Sequence, residues 1–135
     1  MSEPLRLPIA ADVDVVEARQ RGRALAADAG FSSAEQTVIA AAISEIARNI
    51  VMYAKQGEII LSLVQSGGRQ GVAVVAIDEG PGIPDLKRAM QDGYSTGDGV
   101  GTGLPGAKRL MDEFEVESVV GRGTTVKMTK WRRAV

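Results

Sequence analysis

The chain contains no cysteine and no histidine. Without cysteine it forms no disulfide and has no thiol nucleophile. Without histidine it cannot by itself assemble a Ser-His-Asp or Cys-His catalytic group. Zinc sites use cysteine or histidine ligands almost without exception, so a zinc site is not expected either. The chemistry must therefore rely on carboxylates, amides, backbone dipoles and a bound cofactor.

Strong net charge and long apolar runs are also lacking. The 135 residues include 16 basic and 17 acidic side chains, and the net charge of −1 favours neither nucleic acid nor anionic lipid. No apolar run approaches the length of a membrane span, and residues 1–8 lack the core of a signal peptide. We therefore expect a single cytoplasmic domain, residues 1–135, with no nucleic-acid or membrane partner.

Hydrophobic periodicity predicts helices over residues 12–29, 32–54, 85–92 and 104–113, and strands over residues 5–9, 58–64, 72–77, 114–120 and 124–131. Asp12 is the expected N-cap of the first helix, and Ser32 and Glu35 form a capping box that opens the longest helix. This order predicts an α/β fold of the α+β sandwich type, with helices on one face of a mixed, largely antiparallel sheet. The basic segment 127–133 is expected on a solvated edge strand.

Glu45 and Asn49 are four residues apart on the longest predicted helix, so they share one face. That face borders the stripe of isoleucines that is predicted to turn towards the core. Two polar groups at this margin are compatible with a ligand pocket. This spacing alone favours the alternative, the exposed Glu and Asn that occur on many helices.

Asp78 directly follows an apolar strand and precedes Gly80 and Gly82. Glycine and proline in this segment are typical of a β-turn. However, an aspartate at the buried end of a strand needs hydrogen-bonding partners. Two glycines nearby leave room for a flat ring to approach the backbone. An adenine amine that donates to Asp78 accounts for both features.

Gly99, Gly101 and Gly103 precede Leu104 at the start of a predicted helix. Backbone N–H groups and the helix dipole favour phosphate at such a position. An overlapping dinucleotide pattern, G-x-G-x-x-G, begins at Gly101, but no apolar strand precedes it and no acidic residue follows about twenty positions later. We interpret residues 93–103 as a lid over phosphates.

Together these segments resemble the motifs of the GHKL superfamily of ATPases and kinases. The matches are the N box Glu45-x-x-x-Asn49, the glycine boxes Asp78-x-Gly80-x-Gly82 and Gly99-x-Gly101-x-Gly103, and the closing motif Gly121-x-Gly123-Thr124. Nearly the whole chain is also similar to the RsbT-type switch kinases of bacterial stressosome modules, notably in segments 43–50, 80–85 and 104–114. This resemblance implies a Bergerat-type fold that binds ATP and Mg²⁺.

The resemblance also implies roles for individual residues. Asn49 would coordinate the Mg²⁺ that bridges the phosphates of ATP, and Glu45 would act as general base. Asp78 would bind the adenine amine, with support from Thr124. The remaining nucleotide contacts would come from residues of the glycine boxes: Gly80, Gly82, Gly99, Gly101, Gly103 and Leu104.

The implied activity is that of a serine/threonine protein kinase that phosphorylates STAS-domain scaffold and antagonist proteins. Once released, such a kinase binds and activates a metal-dependent protein phosphatase. The alternative is an anti-sigma factor that binds a sigma subunit. A histidine kinase is rejected because the chain has no histidine to accept phosphate.

One departure from the family concerns the lid. Residues 89–107 contain no lysine or arginine, although phosphoryl transfer requires stabilisation of developing charge. That role would fall on Mg²⁺, lid amides, Lys108 or Arg109, or a residue of the partner.

Overall fold

The computed structural model describes residues 3–80 and 103–132, which form five strands and three α-helices. The strands are β1 (Leu5–Ile9), β2 (Gly57–Ser66), β3 (Arg69–Asp78), β4 (Glu113–Val119) and β5 (Gly123–Trp131). The helices are α1 (Asp12–Asp28), α2 (Ser33–Asn49) and α3 (Gly103–Leu110), and a π-helical turn, Ile50–Ala54, continues α2. The helix predicted for residues 85–92 lies outside the described residues, as do Gly82, Gly99 and Gly101.

The strands form one sheet in the order β1-β2-β3-β5-β4, and every described pairing is antiparallel. Because side chains alternate between the faces of a sheet, the register places the buried strand residues on one common face. Leu7, Ile59, Val74 and Met128 represent this face, and each is at most 7% exposed. The three helices pack over it, which confirms the predicted α+β sandwich.

The isoleucine stripe of α2 forms the centre of the core, as predicted. Ile39, Ile43, Ile46 and Ile50 are each at most 2% exposed, and full burial of one such side chain contributes about 1.5–3 kcal/mol. By length and composition alone, residues 33–54 are apolar enough to cross a membrane. The structure explains this apolar composition differently. The isoleucine stripe is buried against the sheet, and the central helix of a globular core is as apolar as a membrane-spanning helix.

Two predicted helix ends are wrong. The N-cap of α1 is Ala11, and the carboxylate of Asp14 accepts hydrogen bonds from the backbone N–H groups of Ala10 at 2.9 Å and Ala11 at 3.0 Å. The acidic side chain that satisfies the free donors therefore lies inside the first turn rather than at Asp12. Helix α3 ends at Leu110, because the N–H of Asp112 already donates to the carbonyl oxygen of Thr129 at 3.0 Å.

The expectation of a basic edge strand is also wrong. β5 lies between β3 and β4, so the sheet edges are β1 and β4. Lys130 on β5 is half-buried and donates to the carbonyl oxygen of Leu110 at 3.2 Å. A local run of charge could not reveal that the last strand inserts beside a strand more than forty residues earlier.

Candidate active site

The helix-facing side of the sheet ends in a row of polar side chains. Asp78, the last residue of β3, pairs directly with Thr124 of β5, and Thr124 pairs with Ser118 of β4. These three residues continue the face that carries the buried Ala76 and Val126. We call Asp78, Thr124 and Ser118 the polar row; it lies on the helix-facing side of the sheet, where the apolar core stops.

Hydrogen bonds hold the polar row in place. The Oδ1 atom of Asp78 accepts a bond from the N–H of Gly80 at 2.9 Å, which is an Asx turn of the kind that orients an aspartate. The hydroxyls of Thr124 and Ser118 are 2.9 Å apart, and Ser118 donates to the carbonyl oxygen of Gly123 at 3.3 Å. Two predicted nucleotide contacts, Asp78 and Thr124, therefore form one directly facing pair.

Glycines surround the backbone of Asp78 on both sides. Gly57 is its partner on β2, and a Cβ atom at Gly57 would lie 2.5 Å from the carbonyl oxygen of Ile77 and 3.0 Å from the Cβ of Asp78. Gly123 has a φ of +125°, and a Cβ atom there would overlap the carbonyl oxygen of Asp78. Neither position has room for a side chain, so both glycines are required for this packing.

Glu45 and Asn49 are both half-buried on α2, at the margin of the core as predicted. The side chain of Glu45 is 19% exposed, and its Oε1 accepts a bond from Nη1 of Arg48 at 3.0 Å. Asn49 is the last residue of α2, one residue before the buried Ile50. Because the side chain of Ile50 packs against Gly57, the strand partner of Asp78, the end of α2 lies near the Asp78 end of the polar row.

Helix α3 begins at Gly103, so its N-terminus coincides with the end of the second glycine box. The N-terminus of a helix attracts anions through its free N–H groups and its dipole. The side chain of Leu104 is 6% exposed and belongs to the hydrophobic core. Any contact of Leu104 with a nucleotide would therefore involve its backbone.

The described residues contain no group of three or more acidic side chains that would hold a metal ion alone. A metal at the end of α2 would be held by the amide oxygen of Asn49, with phosphates and water as its other ligands. This donor set fits Mg²⁺, which prefers oxygen ligands and keeps several waters. A Ca²⁺ site with many protein ligands does not fit these residues.

Sequence reasoning overlooked three residues near this site. Gly57 begins β2, and glycine in a strand often marks a close approach of another chain segment. Ala54 packs against Gly80, since a Cβ atom at Gly80 would lie 2.6 Å from the Cβ of Ala54. Arg48 donates from Nη1 to Oε1 of Glu45 at 3.0 Å, and its position inside the N box was the available signal.

Known proteins match this chain over most of its length. The family model described as a histidine kinase-like ATPase domain matches residues 9–130. A serine/threonine-protein kinase, RsbT of Bacillus subtilis (strain 168), is 47% identical over 133 residues, which cover 98% of this chain and 100% of that protein. An anti-sigma F factor of Thermoanaerobacter sp. (strain X514) is 37% identical over 99 residues, covering 69% of this chain and 68% of that protein.

Two solved structures share the fold. The RsbU and RsbW domains of a Mycobacterium tuberculosis protein match with a TM-score of 0.66 and 22% identity, over 98% of this chain but only 34% of that chain. The mycobacterial sensor histidine kinase MprB matches with a TM-score of 0.58 and 18% identity, over the full length of both chains. At 22% and 18% identity, these two matches show a shared fold and nothing about function.

Proposed function

This chain belongs to the histidine kinase-like ATPase domain family and is a serine/threonine protein kinase, and we propose that it transfers phosphate from Mg-ATP to STAS-domain scaffold and antagonist proteins. The observation that supports this most is the facing pair Asp78 and Thr124, together with Ile50, the residue after Asn49, which contacts Gly57, the β2 partner of Asp78. We further propose that the kinase acts in the cytoplasm. After release from its substrates, it binds and activates a metal-dependent protein phosphatase.

In this proposal each side chain has one task. Asp78 accepts the adenine amine, and Thr124 supports it from the facing strand position. The amide oxygen of Asn49 would hold Mg²⁺, and the metal would supply positive charge to the phosphates of ATP. Glu45 lies one helical turn before Asn49 and accepts the proton of the incoming serine or threonine hydroxyl.

The glycine boxes complete the proposed nucleotide site. Gly82 makes room for the base, and Gly80 contributes through its N–H, which holds Asp78 in position. Gly99, Gly101 and Gly103 would bring backbone N–H groups to the phosphates, with Leu104 contributing its backbone. The ion pair with Arg48 orients the carboxylate of Glu45. Lys108 and Arg109 in the last turn of α3, or a cation of the partner, remain the proposed sources of further positive charge.

A protein substrate is supported by the distribution of exposed apolar side chains. Among the described residues, the large hydrophobic side chains with the highest exposure are Val13, Val16, Met52, Tyr53, Val119 and Val120. They occur at the start of α1, in the π-helical turn and at the β4–β5 turn. The strand register places all three locations at the end of the sheet that carries Asp78. A small-molecule kinase has no need for apolar surface around the site, whereas a protein partner covers it.

The second candidate function is that of an anti-sigma factor. It is favoured by the anti-sigma F factor relatives, which share 30–37% identity with this chain. Those alignments cover about 70% of this chain, whereas the alignment with the kinase covers 98%. The broader coverage and higher identity favour the kinase.

Phosphate transfer from γ-labelled Mg-ATP to purified STAS-domain proteins tests the main proposal. We expect label on a serine or threonine of the STAS protein, and no stable complex with a sigma subunit in size-exclusion chromatography. A stable sigma complex without transfer to any STAS protein supports the second candidate instead.

Asp78→Asn is predicted to weaken nucleotide binding. The amide presents a donor where the adenine amine needs an acceptor, so the affinity for an ATP analogue should fall by roughly 1–3 kcal/mol. Isothermal titration calorimetry measures this directly. Asp28→Asn, at an exposed position that ends α1, is the matched control and should bind as the unmodified protein does. Equal affinity in a folded Asp78→Asn variant contradicts the assignment of Asp78.

A further inference from the structure

The π-helical turn Ile50–Ala54 ends in direct contact with the first glycine box. A Cβ atom at Gly80 would lie 2.6 Å from the Cβ and 2.7 Å from the Cα of Ala54. Such distances are shorter than real Cβ contacts, so Gly80 and Ala54 already touch without intervening space. Because the N–H of Gly80 holds Oδ1 of Asp78 at 2.9 Å, a displacement of Gly80 also displaces the carboxylate of Asp78.

The first residue of the same turn contacts the other side of Asp78 through Gly57. A Cβ atom at Gly57 would lie 3.1 Å from Cγ2 of Ile50 and 3.0 Å from the Cβ of Asp78. Ile50 is 2% exposed and is fixed by the hydrophobic core. The π-helical turn therefore contacts the surroundings of Asp78 at both of its ends, and it begins directly after Asn49.

The backbone conformation of this turn is energetically unfavourable. A π-helical turn is rare and occurs frequently at functional sites. It closes with a hydrogen bond of 2.7 Å from the N–H of Lys55 to the carbonyl oxygen of Ile50. Lys55 has a φ of +74°, the only positive φ of a non-glycine residue in the part of the chain that the structure describes. Such a conformation persists only where the surrounding packing holds it in place.

We propose that the π-helical turn sets the position of the Asp78 carboxylate relative to Asn49, and that Ala54 and Gly57 are positioning residues for recognition of the adenine amine. This inference rests on the proposed ATP-binding function. Added volume at position 54 pushes Gly80 and turns the carboxylate of Asp78 away from the amine. Asn49 lies before the π-helical turn. Added volume at position 54 should therefore weaken binding of the Mg²⁺-phosphate part of the nucleotide less than it weakens recognition of the adenine amine.

The test compares two ligands in each protein: Mg-ATP and the Mg complex of purine riboside triphosphate, which lacks the 6-amino group. In the unmodified protein we expect ATP to bind on the order of tenfold more tightly, because only ATP donates to Asp78. In Ala54→Val the ratio of the affinity for Mg-ATP to the affinity for the purine riboside triphosphate complex should fall towards one. Ala24→Val, the same substitution at an exposed position of α1, is the matched control and should keep the ratio.

A purely structural role of Ala54 predicts a different result. If Ala54→Val weakens both ligands by the same factor, so that the ratio is unchanged, the positioning role is overturned. If the variant does not fold, Ala54→Ser adds a single atom and is measured in its place; an unchanged ratio in that folded variant also overturns the proposal. If the unmodified protein shows no preference for ATP, or Asp78→Asn keeps that preference, the assignment of Asp78 in the proposed function fails instead.

Discussion

Glu45→Gln should lower the rate of phosphate transfer to a STAS-domain substrate by a factor of about 10²–10⁴ while Mg-ATP binding survives. Glutamine keeps the shape of the side chain but cannot accept the proton of the incoming hydroxyl. The side chain is half-buried one helical turn before the end of α2, and it has no direct role in holding the nucleotide in our proposal. Single-turnover transfer of labelled phosphate, alongside calorimetric nucleotide binding, separates the two effects.

The substitution also removes the charge that pairs with Arg48, which requires a control. Glu17→Gln removes the corresponding charge from the Glu17–Arg21 pair, whose atoms are 3.1 Å apart on the exposed side of α1. Exposed pairs of this kind contribute about 0.2–1 kcal/mol, so Glu17→Gln should transfer phosphate normally. Transfer by Glu45→Gln at the unmodified rate shows that the base lies elsewhere, and then a path without a protein base is the better account.

Asn49→Ala should impair nucleotide binding, whereas Glu45→Gln should impair phosphate transfer. Asn49→Ala removes the amide oxygen that ligates Mg²⁺, so nucleotide binding itself should weaken in the presence of Mg²⁺ and change little without it. Asn49→Asp retains an oxygen at this position and should bind Mg-nucleotide better than Asn49→Ala. Activation of the phosphatase needs only the protein surface in our proposal, so Glu45→Gln should retain it.

Gly123→Ala should destabilise the fold and abolish high-affinity nucleotide binding together. Its φ of +125° is unfavourable for any residue with a side chain, which costs about 1–3 kcal/mol. The added Cβ overlaps the carbonyl oxygen of Asp78, and overpacking of this kind costs about 1–3 kcal/mol more. Urea unfolding should therefore show a loss of roughly 2–6 kcal/mol. Because the clash is with Asp78 itself, the folded fraction should bind ATP weakly.

Gly121→Ala, in the turn that precedes Gly123, is the matched control. Gly121 also has a positive φ, +84°, but a Cβ atom there meets no other atom within 4 Å. It should therefore show the cost of backbone strain alone and leave nucleotide affinity intact. Equal stability and affinity in the two variants mean that contact with Asp78 does not explain the need for glycine at position 123.

Much of the fold follows from local patterns that the sequence displays directly. The isoleucines of α2 repeat at three- and four-residue spacing, and the structure buries all of them, because a helix with one apolar stripe has a single way to face a core. Ser32 and Glu35 form the predicted capping box, with the N–H of Glu35 bonded to the hydroxyl of Ser32 at 3.1 Å. The boundaries that failed, at Asp12 and after Leu110, depend on hydrogen bonds that a periodic pattern does not contain.

The sequence by itself determined the types of chemistry and the residues proposed to carry them. The absence of histidine and cysteine removed whole reaction classes, and the resemblance of the four motifs to the GHKL family pointed to Glu45, Asn49, Asp78 and Thr124. Only the tertiary structure decided that Thr124 faces Asp78 and that β5 lies inside the sheet. It also decided that Gly57 packs against Asp78 and that Ala54 packs against Gly80. The physical reason is that strand pairing and close packing join residues tens of positions apart. A pattern within one segment fixes which face is apolar, but not which distant segment covers it.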